Sequence, residues 1–433
     1  MTVTPARAAA FEVRAQLARG LRLDVAFARI APRLDPRDRA FAHQLLFGAA
    51  RLQGRLDHLL ARRVRGGLAR LDRPVLDALR LGAYELLYMD GVPDYAARSQ
   101  AVEMATGAAG RGAGGLVNAV LRRVAEDGDG PARFPDPERD PAGWLTTWGS
   151  HPRWLVERWL ARWTPEEVTR LVEADNRVPD LHLVPLDRTV GAAVAALADA
   201  GIEGRAVAGT GCVRLPPGTD PVQALSVLPA VVQDPGANLV TGYADLPRGT
   251  KVADLCAAPG GKALVLAAGA ASVVVASDRS PLRMKLVREN ARRAGRPLHL
   301  VAADAAHPPL RPVDAVLLDA PCTGTGTLAR HPDGRWRLGP ASVAEMASVQ
   351  ARLLEGAAGA VRPGGHLVYS TCSLEPEENE DRVEAFLRAR DDFVVEPTDA
   401  VDARFLDGDG FLRVLPQDTG FDGAFAARLR RAA

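Results

Sequence analysis

The 433-residue sequence has few cysteines, few lysines and no long apolar run. Its cysteines (Cys212, Cys256, Cys322 and Cys372) are too few for a disulfide scaffold, and none forms a Cys-x-x-Cys pair, so we expect no structural zinc site. No apolar stretch approaches the roughly 20 residues that cross a bilayer, and the N-terminus lacks a signal-peptide pattern. We therefore expect a cytoplasmic protein with free thiols and no membrane partner.

Lysine is also scarce, because 51 of the 54 basic residues are arginine. Residues 1–125 carry 20 arginines and 11 acidic residues, a net charge of +9, whereas the remainder carries 34 basic and 42 acidic residues, a net charge of −8. A basic region joined to an acidic one indicates an anionic partner for the first. Arginine-rich helices with solvated faces explain the same charge equally well, and both interpretations stay open here.

Helical periodicity and strand–helix alternation divide the chain. Residues 1–125 repeat apolar side chains at three- and four-residue steps, which predicts an all-helical domain. A linker rich in Pro, Gly and acid follows at 126–150, and then a helical and small α/β subdomain at 151–240. Residues 241–433 alternate apolar strands with helices, so we expect a Rossmann-like, doubly wound and mostly parallel sheet.

The first strand of this alternation runs into a glycine-rich turn, DLCAAPGGKA. The next two strands end in Asp278 and Asp304, where carboxylates can accept from ribose hydroxyls and an adenine amine. This turn is neither a G-x-G-x-x-G turn nor the phosphate-binding Gly-Lys-Ser/Thr loop, so a dinucleotide or nucleoside triphosphate fits poorly. An adenosine without pyrophosphate fits better, and we predict S-adenosylmethionine (SAM).

Two thiols follow the next pair of strands. One strand ends VLLDAPC, which contains Asp319 and Cys322, and the other ends VYSTCS, which contains Cys372. Neighbouring strands lie about 4.8 Å apart, so we expect these thiols to converge beside the cofactor. Carbon 5 of a pyrimidine is a poor nucleophile, but a thiolate that adds to carbon 6 makes it reactive. A second thiol then assists release, and Asp319 favours cytosine by accepting from its amine.

The motifs DLCAAPGGK, LLDAPCTGTGTLARHPDGRW and YSTCSLEPEENE make the sequence similar to the bacterial 16S rRNA cytosine-C5 methyltransferases that carry a domain resembling the antiterminator NusB. The N-terminal match lies in VPDYAARSQAVEMA and GLVNAVLRRV. The resemblance implies that Cys372 is the nucleophile and that Cys322 assists release. The residues it assigns to SAM are Cys256, Ala257, Ala258, Pro259, Gly260, Gly261, Lys262, Asp278, Asp304 and Asp319.

The resemblance also names 16S rRNA as the partner, either naked or in a small-subunit assembly intermediate, bound by a monomer. It implies that Arg330, His331, Arg335 and Trp336 shape the mouth of the active site or touch RNA, although Trp336 fits a buried anchor equally well. Other hypotheses are an assembly factor with an inactive core, and a cytosine methyltransferase for another RNA, such as tRNA, or for DNA. Chemistry alone leaves Cys322 a contender as nucleophile, and the Thr-Cys motif of the family favours Cys372.

Overall fold

A computed structural model describes residues 2–269 and 271–433. The chain divides into two compact units. The first unit contains the residues up to Arg177 together with Leu328–Leu338, and the second contains Val178–Thr327 and Gly339–Ala433. The chain therefore leaves the second unit for eleven residues and then returns to it. In the described ranges, no helix combines the length and apolar character that crossing a membrane demands.

The first unit is helical, which confirms the prediction for this region. Helix starts follow ordinary capping chemistry: Asp35 accepts from the amide of Asp38, and Thr164 and Glu167 form a reciprocal capping box. The helices of the chain up to Arg177 are α1 (Pro5–Leu17), α2 (Leu23–Ile30), α3 (Pro36–Arg51), α4 (Gln53–Ala61), α5 (Arg73–Tyr88), α6 (Asp94–Ala109), α7 (Arg111–Asp127), α8 (Pro141–Thr147), α9 (Arg153–Leu160) and α10 (Pro165–Asn176). Helix α8 lies inside the predicted linker.

The second unit begins with a small antiparallel sheet in the order β2–β3–β1–β4. Leu183, Val213 and Leu215 are buried on it against Ala193 and Leu197, which confirms the predicted small α/β subdomain. Its elements are β1 (Leu181–Pro185), α11 (Val190–Asp199), β2 (Arg205–Val207), β3 (Cys212–Leu215), α12 (Pro221–Val227) and β4 (Ala230–Val232).

A larger mixed sheet fills the rest of the second unit, in the order β10–β12–β9–β8–β5–β6–β7, with β11 paired to β12. The remaining elements are α13 (Pro235–Tyr243), β5 (Lys251–Asp254), α14 (Gly261–Ala268), β6 (Val273–Asp278), α15 (Pro281–Arg293), β7 (His299–Ala302), β8 (Val313–Asp319), α16 (Gly334–Arg337, in the first unit), α17 (Pro340–Gly359), β9 (Val361–Thr371), α18 (Glu380–Ala389), β10 (Phe393–Val395), β11 (Leu412–Val414), α19 (Pro416–Thr419) and β12 (Ala424–Arg431).

Strands β5 to β9 pair in parallel, and β12 pairs antiparallel with β9 and β10. Apolar side chains of β5, β8, β9 and β12 are buried, as expected for strands covered by crossover helices. The predicted doubly wound, mostly parallel sheet is confirmed. Because the carboxyl ends of parallel strands share one edge, the loops after β5, β6, β7, β8 and β9 gather there.

Gly82 of α5 lies where helices of the first unit pack closely. A methyl group at Gly82 would lie 2.6 Å from the Leu121 side chain and 2.8 Å from the Ala101 side chain. Gly82→Ala is therefore expected to destabilise the protein by about 1–3 kcal/mol, despite the better helix propensity of alanine. Gly107→Ala in α6 is the control, because no described atom lies within 4 Å of its new methyl group. Urea unfolding monitored by circular dichroism measures both, and equal midpoints would contradict the expectation.

Candidate active site

Strands β8 and β9 place two thiols together. The two strands are parallel neighbours, and Asp319 at the end of β8 pairs in register with Ser370 of β9. Cys322 lies three residues beyond the end of β8, and Cys372 directly follows β9. Their sulfur atoms are 3.3 Å apart and hydrogen-bonded, and both thiols are free. The register of one strand pair thus sets the distance between two reactive groups.

A lysine–aspartate pair lies beside the thiols. Lys262 Nζ is 2.7 Å from Asp319 Oδ2, and the Ser370 hydroxyl donates to Asp319 Oδ1 over 2.9 Å. Burial lowers the pKa of Lys262, but the charge and hydrogen bond of Asp319, with a contribution from Cys372, raise it above its ordinary value. The Lys262 side chain is therefore a fixed positive charge at the thiols. The sequence placed Lys262 in the cofactor loop and did not reveal this pairing.

The surroundings of Cys322 affect the protonation of its thiol. The hydrogen bond with Cys372 raises the pKa of Cys322 well above its usual value, and burial and the charges of Cys372 and Glu378 act in the same direction. Cys322 therefore holds its proton at neutral pH. The thiol of Cys256 also has a raised pKa, chiefly because it is buried. A raised pKa makes Cys256 a poor nucleophile, which agrees with its predicted place in the cofactor loop.

The glycine-rich turn after β5 approaches the next elements closely. Gly260 has a φ of 105°, and a methyl group there would lie 3.2 Å from Val287 of α15. The amide of Ala257 donates to the Ser277 carbonyl of β6 over 2.8 Å, which holds the turn against the neighbouring strand. A turn without side-chain bulk, at the start of α14, leaves backbone amides able to approach a ligand.

The predicted acidic residues lie at the ends of β6 and β7, which are adjacent in the sheet: Asp278 is the last residue of β6, and Asp304 lies two residues beyond β7. Asp278 is 3% exposed, accepts from the Ser280 amide and lies 3.1 Å from Arg283. Asp304 is exposed and accepts from the Ala306 amide. Each carboxylate oxygen can accept a second hydrogen bond. The two acids therefore retain the capacity to bind hydroxyl and amine groups.

Asp254, at the end of β5, is a site residue that the sequence did not single out. Its side chain is buried, and neither carboxylate oxygen has a hydrogen-bond partner among the described residues. Burial, followed by the charge of Asp319, raises its pKa to about 7. Its position inside the DLCAAPGGK motif, at the end of a strand, is a signal that could have identified it.

Glu378 is a second carboxylate that the sequence interpretation passed over. It is 0% exposed and accepts hydrogen bonds from Thr323, Ser373 and Gln350. Burial raises its pKa above the ordinary value, and the bonds from Ser373 and Thr323 oppose that rise. The motif YSTCSLEPEENE contains it, but several glutamates occur there and the sequence cannot show which one turns inward.

Segment Leu328–Leu338 corrects one expectation. Arg335 is 0% exposed and donates to Asn176 Oδ1 over 2.8 Å and to the carbonyls of Asp175 and Ser150 over 3.1 Å. The suggestion that Arg335 touches RNA is therefore wrong, because its guanidinium is buried and donates hydrogen bonds to residues of the first unit. Trp336 donates to the Ala50 carbonyl over 2.7 Å, which favours the anchor interpretation. Roles for Arg330 and His331 at the mouth of the active site stay predictions.

Comparisons with known proteins bear on this geometry. Residues 245–430 match the family described as 16S rRNA methyltransferase RsmB/F, and residues 4–126 match the NusB family. Ribosomal RNA small subunit methyltransferase B of Pseudomonas putida is 34% identical, over 100% of this chain and 99% of its own length. The protein of the same name from Klebsiella pneumoniae is 33% identical, over 82% and 83% of the two chains.

The chain belongs to the RsmB/F family of 16S rRNA methyltransferases. A solved methyltransferase homologue from Pyrococcus horikoshii agrees in fold, with 26% identity, a TM-score of 0.57, and coverage of 69% of this chain and 100% of that one. As a member of the RsmB/F family, the chain is a SAM-dependent rRNA methyltransferase with an N-terminal NusB-like domain.

The residues at the sheet edge fit SAM. The turn at Gly260 admits a ligand close to the backbone, and Asp278 and Asp304 offer acceptors for ribose and adenine. The unpartnered, buried carboxyl of Asp254 is a further polar group at this edge. SAM has no pyrophosphate, which agrees with the absence of a phosphate-binding loop.

The raised pKa of Asp254 predicts a pH dependence of stability. Between about pH 4 and 7 the native state holds a proton that the unfolded state has lost, so stability falls as pH rises through this window. Asp254→Asn mimics the protonated carboxyl and removes this dependence. The free energy of unfolding of the unaltered protein should therefore drop by on the order of 2 kcal/mol, relative to the variant, between pH 5 and 8. Urea unfolding at several pH values measures the difference.

Asp314→Asn is the matched control for this measurement. The amide of Lys251, followed by Arg362, lowers the pKa of Asp314 below its ordinary value, so this carboxyl does not titrate between pH 5 and 8. Its replacement should change stability by the same amount at every pH in that range. A parallel pH dependence in the unaltered protein and in Asp254→Asn would show that Asp254 is ionised in the native state.

Proposed function

We propose that this chain methylates carbon 5 of one specific cytosine in 16S rRNA, through a temporary bond between the Cys372 sulfur and carbon 6 of the base. Cys322 assists release of the product. The supporting observation is the pair of sulfur atoms 3.3 Å apart beside the Lys262–Asp319 pair. SAM supplies the methyl group from its sulfonium. The methylated carbon and the covalent adduct are the parts of this proposal that experiment must test.

Electrostatics around the thiols support Cys372 as the nucleophile. The positive charge of Lys262 interacts with Cys372 and can stabilise the negative charge of an attacking sulfur. Cys322 is instead held as a thiol, because the hydrogen bond with Cys372, burial and nearby negative charge raise its pKa. The thiol that keeps its proton is poorly suited to attack and well suited to donate. The charges therefore agree with the Thr-Cys motif in selecting Cys372.

Cys322 is placed to act when the adduct breaks down. After methyl transfer, a water molecule takes the proton from carbon 5, and the electron pair of that C–H bond forms the double bond between carbons 5 and 6. The bond between carbon 6 and Cys372 breaks, which returns its electron pair to the sulfur. Cys322 Sγ, at 3.3 Å, can hydrogen-bond to that departing sulfur. Without this donor the departing thiolate is less stabilised, so the adduct is expected to accumulate.

Asp319 supports the choice of cytosine. One of its oxygens accepts a hydrogen bond from the Lys262 ammonium and the other accepts one from the Ser370 hydroxyl. Each oxygen has a second lone pair that can accept another hydrogen bond. A carboxylate accepts from the exocyclic amine of cytosine, whereas uracil offers a carbonyl at the same place. Asp319 therefore discriminates against uracil by repulsion as well as by a missing hydrogen bond.

The remaining parts of the proposal concern the partner. We propose that the protein acts in the cytoplasm as a monomer, on naked 16S rRNA or on a small-subunit assembly intermediate. The proposed arrangement is an RNA-binding domain at 1–125, a linker at 126–150, an RNA-binding subdomain at 151–240 and a catalytic domain at 241–433. Mapping of methylcytosine in rRNA from a strain that lacks the protein identifies the target nucleotide.

Cysteine variants test the covalent mechanism. Cys372→Ala should lower methyl transfer to RNA by on the order of 10³-fold or more, because the attacking thiolate is removed. Cys322→Ala should instead accumulate a protein–RNA adduct that survives denaturing electrophoresis. Cys212→Ala is the control, since Cys212 lies in the small sheet. Full activity of Cys372→Ala would refute the mechanism, and transfer of methyl groups by the unaltered protein excludes an inactive core.

Arginine variants test RNA binding by the helical domain. Exposed arginines that bind phosphates release counterions, so affinity should fall steeply with salt. Neutralising Arg65, Arg70, Arg111 and Arg123, all exposed, should reduce the slope of log affinity against log salt by about 0.7 for each phosphate that is no longer neutralised. Filter binding of 16S rRNA between low and moderate salt measures the slope. Neutralising the exposed arginines Arg292 and Arg388 of the second unit is the comparison, and an equal slope in both variants would contradict the assignment.

A further inference from the structure

One buried carboxylate is bonded to residues that flank both cysteines. Glu378 Oε1 accepts from the Thr323 amide and from Gln350 Nε2, each over 2.9 Å. Its Oε2 accepts from the hydroxyls of Thr323 and Ser373. Four donors therefore occupy the four acceptor positions of the carboxylate.

These donors belong to the two loops that carry the cysteines, so Glu378 connects the loops. Thr323 directly follows Cys322, and Ser373 directly follows Cys372. Gln350 of α17 extends the connection, because its Nε2 also donates to the Pro321 carbonyl, on the other side of Cys322, over 3.0 Å. The loops after β8 and β9 share further bonds, from the Gly326 amide to the Cys372 carbonyl and between Thr325 and Ser373. Glu378 is the charged member of this set.

We propose that Glu378 is a positioning residue, which holds the loops of Cys322 and Cys372 at the separation that covalent catalysis requires. The proposal rests on the proposed function and assigns to that site a residue that acts through its neighbours and not on cofactor or base. Its carboxylate adds hydrogen bonds to the residue after each thiol, from the amide and hydroxyl of Thr323 and from the hydroxyl of Ser373. A displacement of about 1 Å at such a site is enough to slow a reaction on the order of 100-fold.

Glu378 also acts on the thiols through its charge. Its negative charge contributes to the raised pKa of Cys322. Removal of that charge should lower the pKa of Cys322, whereas a purely structural carboxylate far from the thiols would leave it unchanged. This difference gives a measurement that does not depend on turnover.

The central variant is Glu378→Gln, and Glu384→Gln is its matched control. Gln has the shape of Glu, and its amide can face the two hydroxyls, which rotate to accept. Glu384 lies on α18, where it is 62% exposed and pairs with Arg388. We expect Glu378→Gln to lower kcat on the order of 10- to 100-fold with the KM for SAM unchanged, and Glu384→Gln to match the unaltered protein.

The second measurement is alkylation of Cys322 by iodoacetamide as a function of pH, read by mass spectrometry of the Cys322 peptide. The comparison is made in a Cys372→Ala background, with and without Glu378→Gln, so that the neighbouring thiol does not compete. We expect the midpoint of alkylation to move to lower pH when Glu378 is replaced, because a negative charge near the thiol is removed. An unchanged midpoint together with an unchanged kcat overturns the proposal.

Two further variants keep the outcomes distinct. If Glu378→Gln does not fold, Ser373→Ala removes one donor and keeps the carboxylate; a lowered kcat supports the proposal, and an unchanged kcat overturns it. Cys372→Ala alone is assayed in parallel. If Cys372→Ala is inactive while Glu378→Gln behaves as Glu384→Gln does, only the role of Glu378 fails. If Cys372→Ala is fully active, the covalent mechanism itself fails.

Discussion

The parallel pairing of β8 with β9 is the constraint on which the active site depends. Because Asp319 and Ser370 are in register, the two chains leave the sheet side by side, and the loops that follow carry one thiol each. A slip of one residue would reverse the faces of every side chain on the shifted strand. The buried apolar side chains of both strands forbid such a slip, so packing in the core fixes the geometry at the edge.

Charge is distributed unevenly around the two sulfur atoms. Lys262 brings a positive charge to the side of Cys372, and Glu378 places a negative charge near Cys322. Each charge is held by hydrogen bonds, to Asp319 in one case and to Thr323 and Ser373 in the other. The two identical side chains thus lie in different electrostatic surroundings, which agrees with the proposed division of attack and release between them.

The sequence predicted those parts of the protein that depend on local pattern. Strand–helix alternation predicted the sheet, and short motifs predicted the position of the thiols and of Asp278 at strand ends. Asp254 and Glu378 were missed although each lies in a recognised motif, and Arg335 was misassigned because its partners come from distant parts of the chain. Arg335, for example, binds Asn176 and Ser150, which are 159 and 185 residues distant. An exposed and a buried arginine look alike in a sequence, and only the folded partners separate them.

The excursion of Leu328–Leu338 into the helical unit has a consequence for how the protein can be divided. No single cut in the chain separates the two units. Leu328–Leu338 belongs to the first unit, although the residues before and after it in sequence belong to the second. A fragment that begins at Val178 would contain Arg335 without the backbone carbonyls of Ser150 and Asp175, which accept its hydrogen bonds. The Arg335 guanidinium would then be exposed to solvent. A fragment that ends at Arg177 would in turn lack this segment, so neither unit is complete when the chain is cut between Arg177 and Val178.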